Sequence, residues 1–201
     1  MTFVFRTHRG LTCLFATVIC GVGAGFYGQK LISIPFLGSL TMPTQMPAPV
    51  IPALLLCVIL GACVTGAERP WMHSSVRNIW AHSAIFVLVL ALLSTLLCAG
   101  VGALTHQGMV MPGALYGRDL AGLLALWVLG RFFGLFAAAT VLPVGYVVFA
   151  SAFARNKEAS FYPWAWIMES HPQSWTGLSL IATGVVATLI LAVRRRPLYI
   201  G

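Results

Sequence analysis

Apolar residues in this chain come in blocks rather than singly, and the blocks are long. An α-helix rises 1.5 Å per residue, so about 20 apolar residues cover the hydrocarbon core of a bilayer. Six such blocks are predicted as spans, at about 11–28, 50–66, 80–104, 114–130, 132–153 and 175–193. In the first, Gly21, Gly25 and Gly28 stand four or three apart, with Gly23 and Ala24 between them, a helix-packing pattern that lets a neighbouring helix approach closely. Pro35, Pro43, Pro47 and Pro49 rule out a regular helix over residues 29–49, which are expected to form an apolar loop at the interface. Pro52 falls in the first turn of span two, where proline is tolerated. Span three is long enough to tilt, and THQGMVMPG (105–113) reads as a short loop.

Blocks four and five run together and are too long for one crossing, so a hairpin is needed. Arg131, between Gly130 and Gly134, is the natural turning point, and Pro143 is expected to kink span five near mid-depth. The reading is an all-α polytopic membrane protein. It has a single transmembrane domain over 1–201 with six transmembrane helices.

Composition agrees with that reading. The chain is 59% hydrophobic and 8% charged, with a mean hydropathy of +0.92. A soluble domain of this length would leave too much apolar surface in water. The net charge of +8 raises the question of nucleic acid, but the arginines flank apolar blocks. They are expected to set topology and meet anionic headgroups, with no nucleic-acid partner. Arg6, Arg9, Arg69, Arg77, Arg131 and Arg194–Arg196 make eight basic residues on one side; Lys30, Arg118, Arg155 and Lys157 make four on the other. The excess places both termini in the cytoplasm. Should the turn lie away from Arg131, that residue becomes an intramembrane charge and a functional candidate. Arg6 and Arg9 before LTCLFATVICGVGAGF imitate a signal peptide, but no clear cleavage site follows and further spans do, so the segment is expected to stay as the first helix.

Little catalytic chemistry is visible. Cys13, Cys20, Cys57, Cys63 and Cys98 all fall in apolar blocks, none in a C-x-x-C pair, and read as small packing residues. The stretch AERPWMHSSVRNIWAH (67–82) gathers Glu68, Arg69, Trp71, His73, Arg77 and His82 between spans two and three, on the cytoplasmic side. His73 and His82 are nine apart, too far for two ligands on one helix face. The acids Glu68, Asp119, Glu158 and Glu169 all sit at predicted membrane edges. With no carboxylate inside a span, ion-coupled transport loses support. Nucleophile-elbow, zinc-protease and P-loop motifs are absent from the sequence. The chain is therefore expected to be no enzyme, with no cofactor or metal of its own. A weaker metal reading places Cu(I) on Met42, Met46, His106, Met109 and Met111 in two outer loops; plain packing is preferred. Trp164, Trp166 and Glu169, within the outer segment FYPWAWIMESH (161–171), mark either a short re-entrant helix or an aromatic belt.

Four features together resemble the short bacterial ABC-2-type permeases, the membrane subunits of ATP-binding-cassette exporters. They are Glu68-Arg69-Pro70 leading through Arg77 to His82, Gly117-Arg118-Asp119-Leu120-Ala121-Gly122 opening span four, Leu142-Pro143 in span five, and Trp164-Ala165-Trp166 before a last helix with a basic end. The resemblance covers most of the chain. It implies a six-helix permease in the bacterial cytoplasmic (inner) membrane, working as a dimer with a second permease copy or a homologous permease. It also implies a separate ABC ATPase partner that binds ATP and Mg. The loop between spans two and three would hold the coupling helix, and short helices before span six would dip back into the membrane. Family members often carry a longer amphipathic helix ahead of span one, where ten residues stand here. The coupling role suits residues 67–79: Pro70 can open a helix, and Trp71, Arg69 and Arg77 are the residue types that anchor interfaces. The small-residue faces of spans one and two are then expected to line the translocation path. Two other readings remain: the substrate-binding integral subunit of an importer, and a membrane assembly or metal-handling protein using the Met/His set.

Overall fold

In a computed structural model the protein is mostly helical. The structure describes residues 10–28, 30–39, 42–67, 79–105, 111–133, 139–153, 161–168 and 175–194. Among these, six α-helices follow one another: α1 (Gly10–Tyr27), α2 (Val50–Ala67), α3 (Ile79–Thr105), α4 (Met111–Phe132), α5 (Val141–Phe153) and α6 (Trp175–Arg194). A short 3-10 helix, Pro163–Met168, precedes α6. Two helical stretches, Gly10–Tyr27 and His82–Thr105, are long and apolar enough to cross a bilayer; Val50–Thr65 and Val141–Phe153 are apolar but shorter.

Three helices begin with a proline in their first turn: Pro52 in α2, Pro112 in α4 and Pro143 in α5. The first N–H groups of a helix have no intrahelical acceptor, so a residue without an N–H costs little there. This overturns the expected kink. Because α5 starts at Val141 rather than near 132, Pro143 opens the helix instead of interrupting it. The turn between α4 and α5 also comes later than expected. Arg131 lies in the last turn of α4, and the chain leaves the helix after Phe132.

The expected loop between α1 and α2 is in fact an antiparallel hairpin, so the fold is not purely helical. Strand β1 (Leu31–Ser39) pairs with β2 (Met42–Pro47), with Leu31 opposite Pro47 and Ile34 opposite Thr44. The register shifts between Ile34 and Gly38, the stretch that holds Pro35. Prolines exclude a helix here, but each strand of a two-stranded sheet has a free edge where a missing donor is tolerated. The Ala48 N–H donates to the Lys30 carbonyl at 2.9 Å and closes the base of the hairpin.

Helix α4 touches each of the other five α-helices and forms the centre of the bundle. Helix α1 runs parallel to α3 at very close range. A Cβ on Gly21 would lie 2.7 Å from the Ser94 carbonyl oxygen, and one on Gly25 would lie 2.6 Å from the Val101 Cβ. Gly28 faces Pro112 at the start of α4. The glycine face of α1 is thus filled from within the chain. On α2, Gly61 is covered by the Trp127 indole. Neither small-residue face is open to line a path, contrary to expectation.

Candidate functional site

Asp119 is the ninth residue of α4, two turns inside the helix, and its exposure is 0%. Arg118 beside it is 6% exposed. Both were expected at a membrane edge, on the assumption that the helix begins near 114. Three extra residues at its start, together with the central position of α4, bury the pair instead.

Neighbouring residues on a helix point about 100° apart, so their side chains do not meet unaided. The long arginine bends back, and its Nε and Nη2 both donate to Asp119 Oδ1, at 3.0 and 2.8 Å. A fork-to-fork pair would serve both carboxylate oxygens. This one serves a single oxygen, and Asp119 Oδ2 has no hydrogen-bond partner among the described residues. The guanidinium carbon stands 5.8 Å from the centre of the Trp166 ring.

Trp166 is placed by the 3-10 helix. Ala165, at φ −91° and ψ 35°, leaves helical geometry and separates the two tryptophans. Trp164 remains at the surface, 36% exposed, while Trp166 turns into the bundle and is 3% exposed. A side chain on Gly122 of α4 would run into the Trp166 ring, so the indole sits directly on the helix backbone. On its other side Tyr146 of α5 stacks on Trp166, with centroids 5.7 Å apart, and its hydroxyl donates to the Trp164 carbonyl at 2.8 Å. Both tryptophans thus belong to one short helix, Trp164 on its exposed side and Trp166 on its buried side.

Two further polar clusters lie in α4. The Tyr116 hydroxyl is 2.7 Å from Ser94 Oγ on α3, and Ser94 Oγ donates to the Thr17 carbonyl at 3.2 Å. Ser94 has one hydroxyl proton, so Tyr116 must be the donor in their contact. At the other end, Arg131 Nη1 donates to Thr65 Oγ1 of α2 at 3.3 Å, and its guanidinium stands 5.2 Å from the Trp127 ring. A cation at a helix C-terminus is favoured by the helix dipole.

A cleft of about 350 Å³ lies between α3, α4 and α6. Its lining is apolar apart from Ser83, Thr95 and Thr188. The hydroxyls of Thr95 and Thr188 donate to their own helices, to the Ala91 and Gly184 carbonyls. The cleft thus offers little to a polar ligand.

Among the described residues, no three or more His, Cys, Asp or Glu residues gather to hold a metal. Met46 is buried in the core. His106 and Met109 lie outside the described residues, and Met42 and Met111 are described in backbone only. The five cysteines carry no disulfide, and Cys13 of α1 contacts Cys63 of α2. Glu68, Arg69, Trp71, His73, Arg77 and Glu169 all lie outside the described residues. No family model, curated protein or solved structure matches this chain.

What sequence reasoning missed is therefore the burial of Arg118 and Asp119 against Trp166, which it had singled out for the outer segment. One signal was available. Asp119 is the only aspartate in the chain, and it is followed directly by an apolar block.

Proposed function

We propose that this chain is the six-span membrane subunit of an ATP-driven transporter, an exporter of the ABC-2 type, in a bacterial cytoplasmic membrane. The observation that carries this reading is the segment before the last helix. Ala165, Trp166, Ile167 and Met168 are all buried in the bundle, as a short helix dipping back from the outer side would be. The six helices, in register with six predicted spans, support it too. Both termini then face the cytoplasm. The loop over residues 67–79 faces it as well and docks on a separate ATPase, which supplies ATP and Mg. A second permease copy or a homologous permease completes the path. The apolar cleft gives no support to an importer that would bind a polar substrate.

Co-purification tests the proposal. The tagged chain, extracted in mild detergent, is expected to bring down an ATP-hydrolysing subunit, and Arg69→Glu with Trp71→Ala is expected to release it. A preparation with no ATPase chain, or unchanged assembly in the double variant, overturns the reading.

A further inference from the structure

Asp119 is costly where it stands. A buried carboxylate is tolerated when its lone pairs are filled by donors. Here one oxygen takes two donors and the other takes none among the described residues. Among the described residues the neighbourhood offers no other charge. As the sequence shows, α1, α2, α3, α5 and the 3-10 helix contain no Asp, Glu, Lys or Arg. Their titratable groups are cysteines, His82 at the start of α3, Tyr27 at the end of α1 and Tyr146 on Trp166, with Tyr116 one turn back on α4 itself. Arg131 is twelve residues further along α4, roughly 18 Å at the helical rise, and Arg194 ends α6. Among the described residues, Arg118 is the charge that acts on the carboxylate.

We propose that Asp119 is a proton-binding site: Oδ2 takes up a proton while the bundle stays folded, and the proton loosens the grip of Oδ1 on Arg118. The step is simple. A carboxylate and a proton from water give a carboxylic acid, and the acid's carbonyl oxygen is a weaker acceptor for a guanidinium than the anion was. A proton suits the space, because the carboxylate is fully buried and Asp119 does not line the cleft between α3, α4 and α6. Release of Arg118 acts on the face of Trp166, so protonation is read out in the 3-10 helix. The site is a place where a proton gradient can bias the outer segment. The inference requires α4 to lie in the bundle as described, and does not require an ATPase partner.

Asp119 being the only aspartate makes the test direct. The full chain, grown with aspartate carrying 13C at the side-chain carboxyl and purified in detergent, should give one such resonance. That resonance is expected to move from its carboxylate to its carboxylic-acid position as pH falls, before any loss of helical circular dichroism. Tryptophan emission is expected to change over the same pH interval in the wild type and to stay flat in Asp119→Asn. A resonance that stays at either position until the chain unfolds overturns the proposal. So does a wild-type emission change that survives in Asp119→Asn. If that variant does not fold, the labelled wild type decides alone.

Discussion

Helices α3 and α4 are neighbours in sequence and pack against each other, yet they are built on opposite plans. Helix α3 contains no Asp, Glu, Lys or Arg, and a whole flank of it is bare, with Leu88, Leu92 and Leu96 all exposed and Leu96 at 68%. Helix α4 contains Arg118, Asp119 and Arg131, and all three are buried. In a soluble protein the more apolar helix would be inside. Here the more polar one is, as the membrane reading proposed above requires: hydrocarbon is as comfortable for leucine as a protein core and far worse for a charge. The contrast teaches that in this chain the exposed flanks are the most apolar, which on the proposed reading is where lipid is met, whereas the polar residues within α4 locate the centre.

The sharpest way to break the comparison is to remove one partner of the central pair. Arg118→Ala leaves Asp119 buried without its counter-charge, and is expected to cost about 3–5 kcal/mol in denaturant melts in detergent. Replacing both, as Arg118→Met with Asp119→Leu, should recover most of that loss. If the double variant is as unstable as the single one, burial of charge is not the governing term.

Steric substitutions come next. Gly122→Leu drives a side chain into the Trp166 ring and is expected to cost ~1–3 kcal/mol, and to shift tryptophan emission. On α1, Gly25→Val should cost a similar ~1–3 kcal/mol because Val101 fills the space. Gly23→Val is the matched control, since nothing lies within 4 Å of its Cβ position, and it should change the melt little. Equal effects at 23 and 25 would show that the α1–α3 contact is absent.

The smaller effects sharpen the picture. Tyr116→Phe removes the hydrogen bond between the Tyr116 and Ser94 side chains of α4 and α3, for ~1 kcal/mol. Leu96→Ala, on the bare flank of α3, is expected to stay within about 0.5 kcal/mol. A large loss at Leu96 would mean that this flank is covered by another chain.

The six helices were legible because each is an apolar block bounded by prolines, glycines or charges. Their ends fall within a few residues of expectation except at the start of α5, where Arg131 was taken for a turn residue. The hairpin was not legible. Pro35, Pro43, Pro47 and Pro49 were read as ruling out a helix and leaving a loop, although a proline is also tolerated on the free edge of a two-stranded sheet. The site was half legible: Trp166 was noticed, but Arg118 and Asp119 were assigned to an interface. A charged dipeptide near a predicted helix end looks the same whether it faces headgroups or the bundle axis. Only the packing of α4 against its neighbours distinguishes the two.

The hairpin has a mechanical consequence. Its ladder ties the end of α1 to the start of α2 with strands about 4.8 Å apart, and the Ala48–Lys30 hydrogen bond shuts the clasp. A slip by one residue would turn every strand side chain to the wrong face. The ladder thus opposes axial sliding of α1 against α2 at that end.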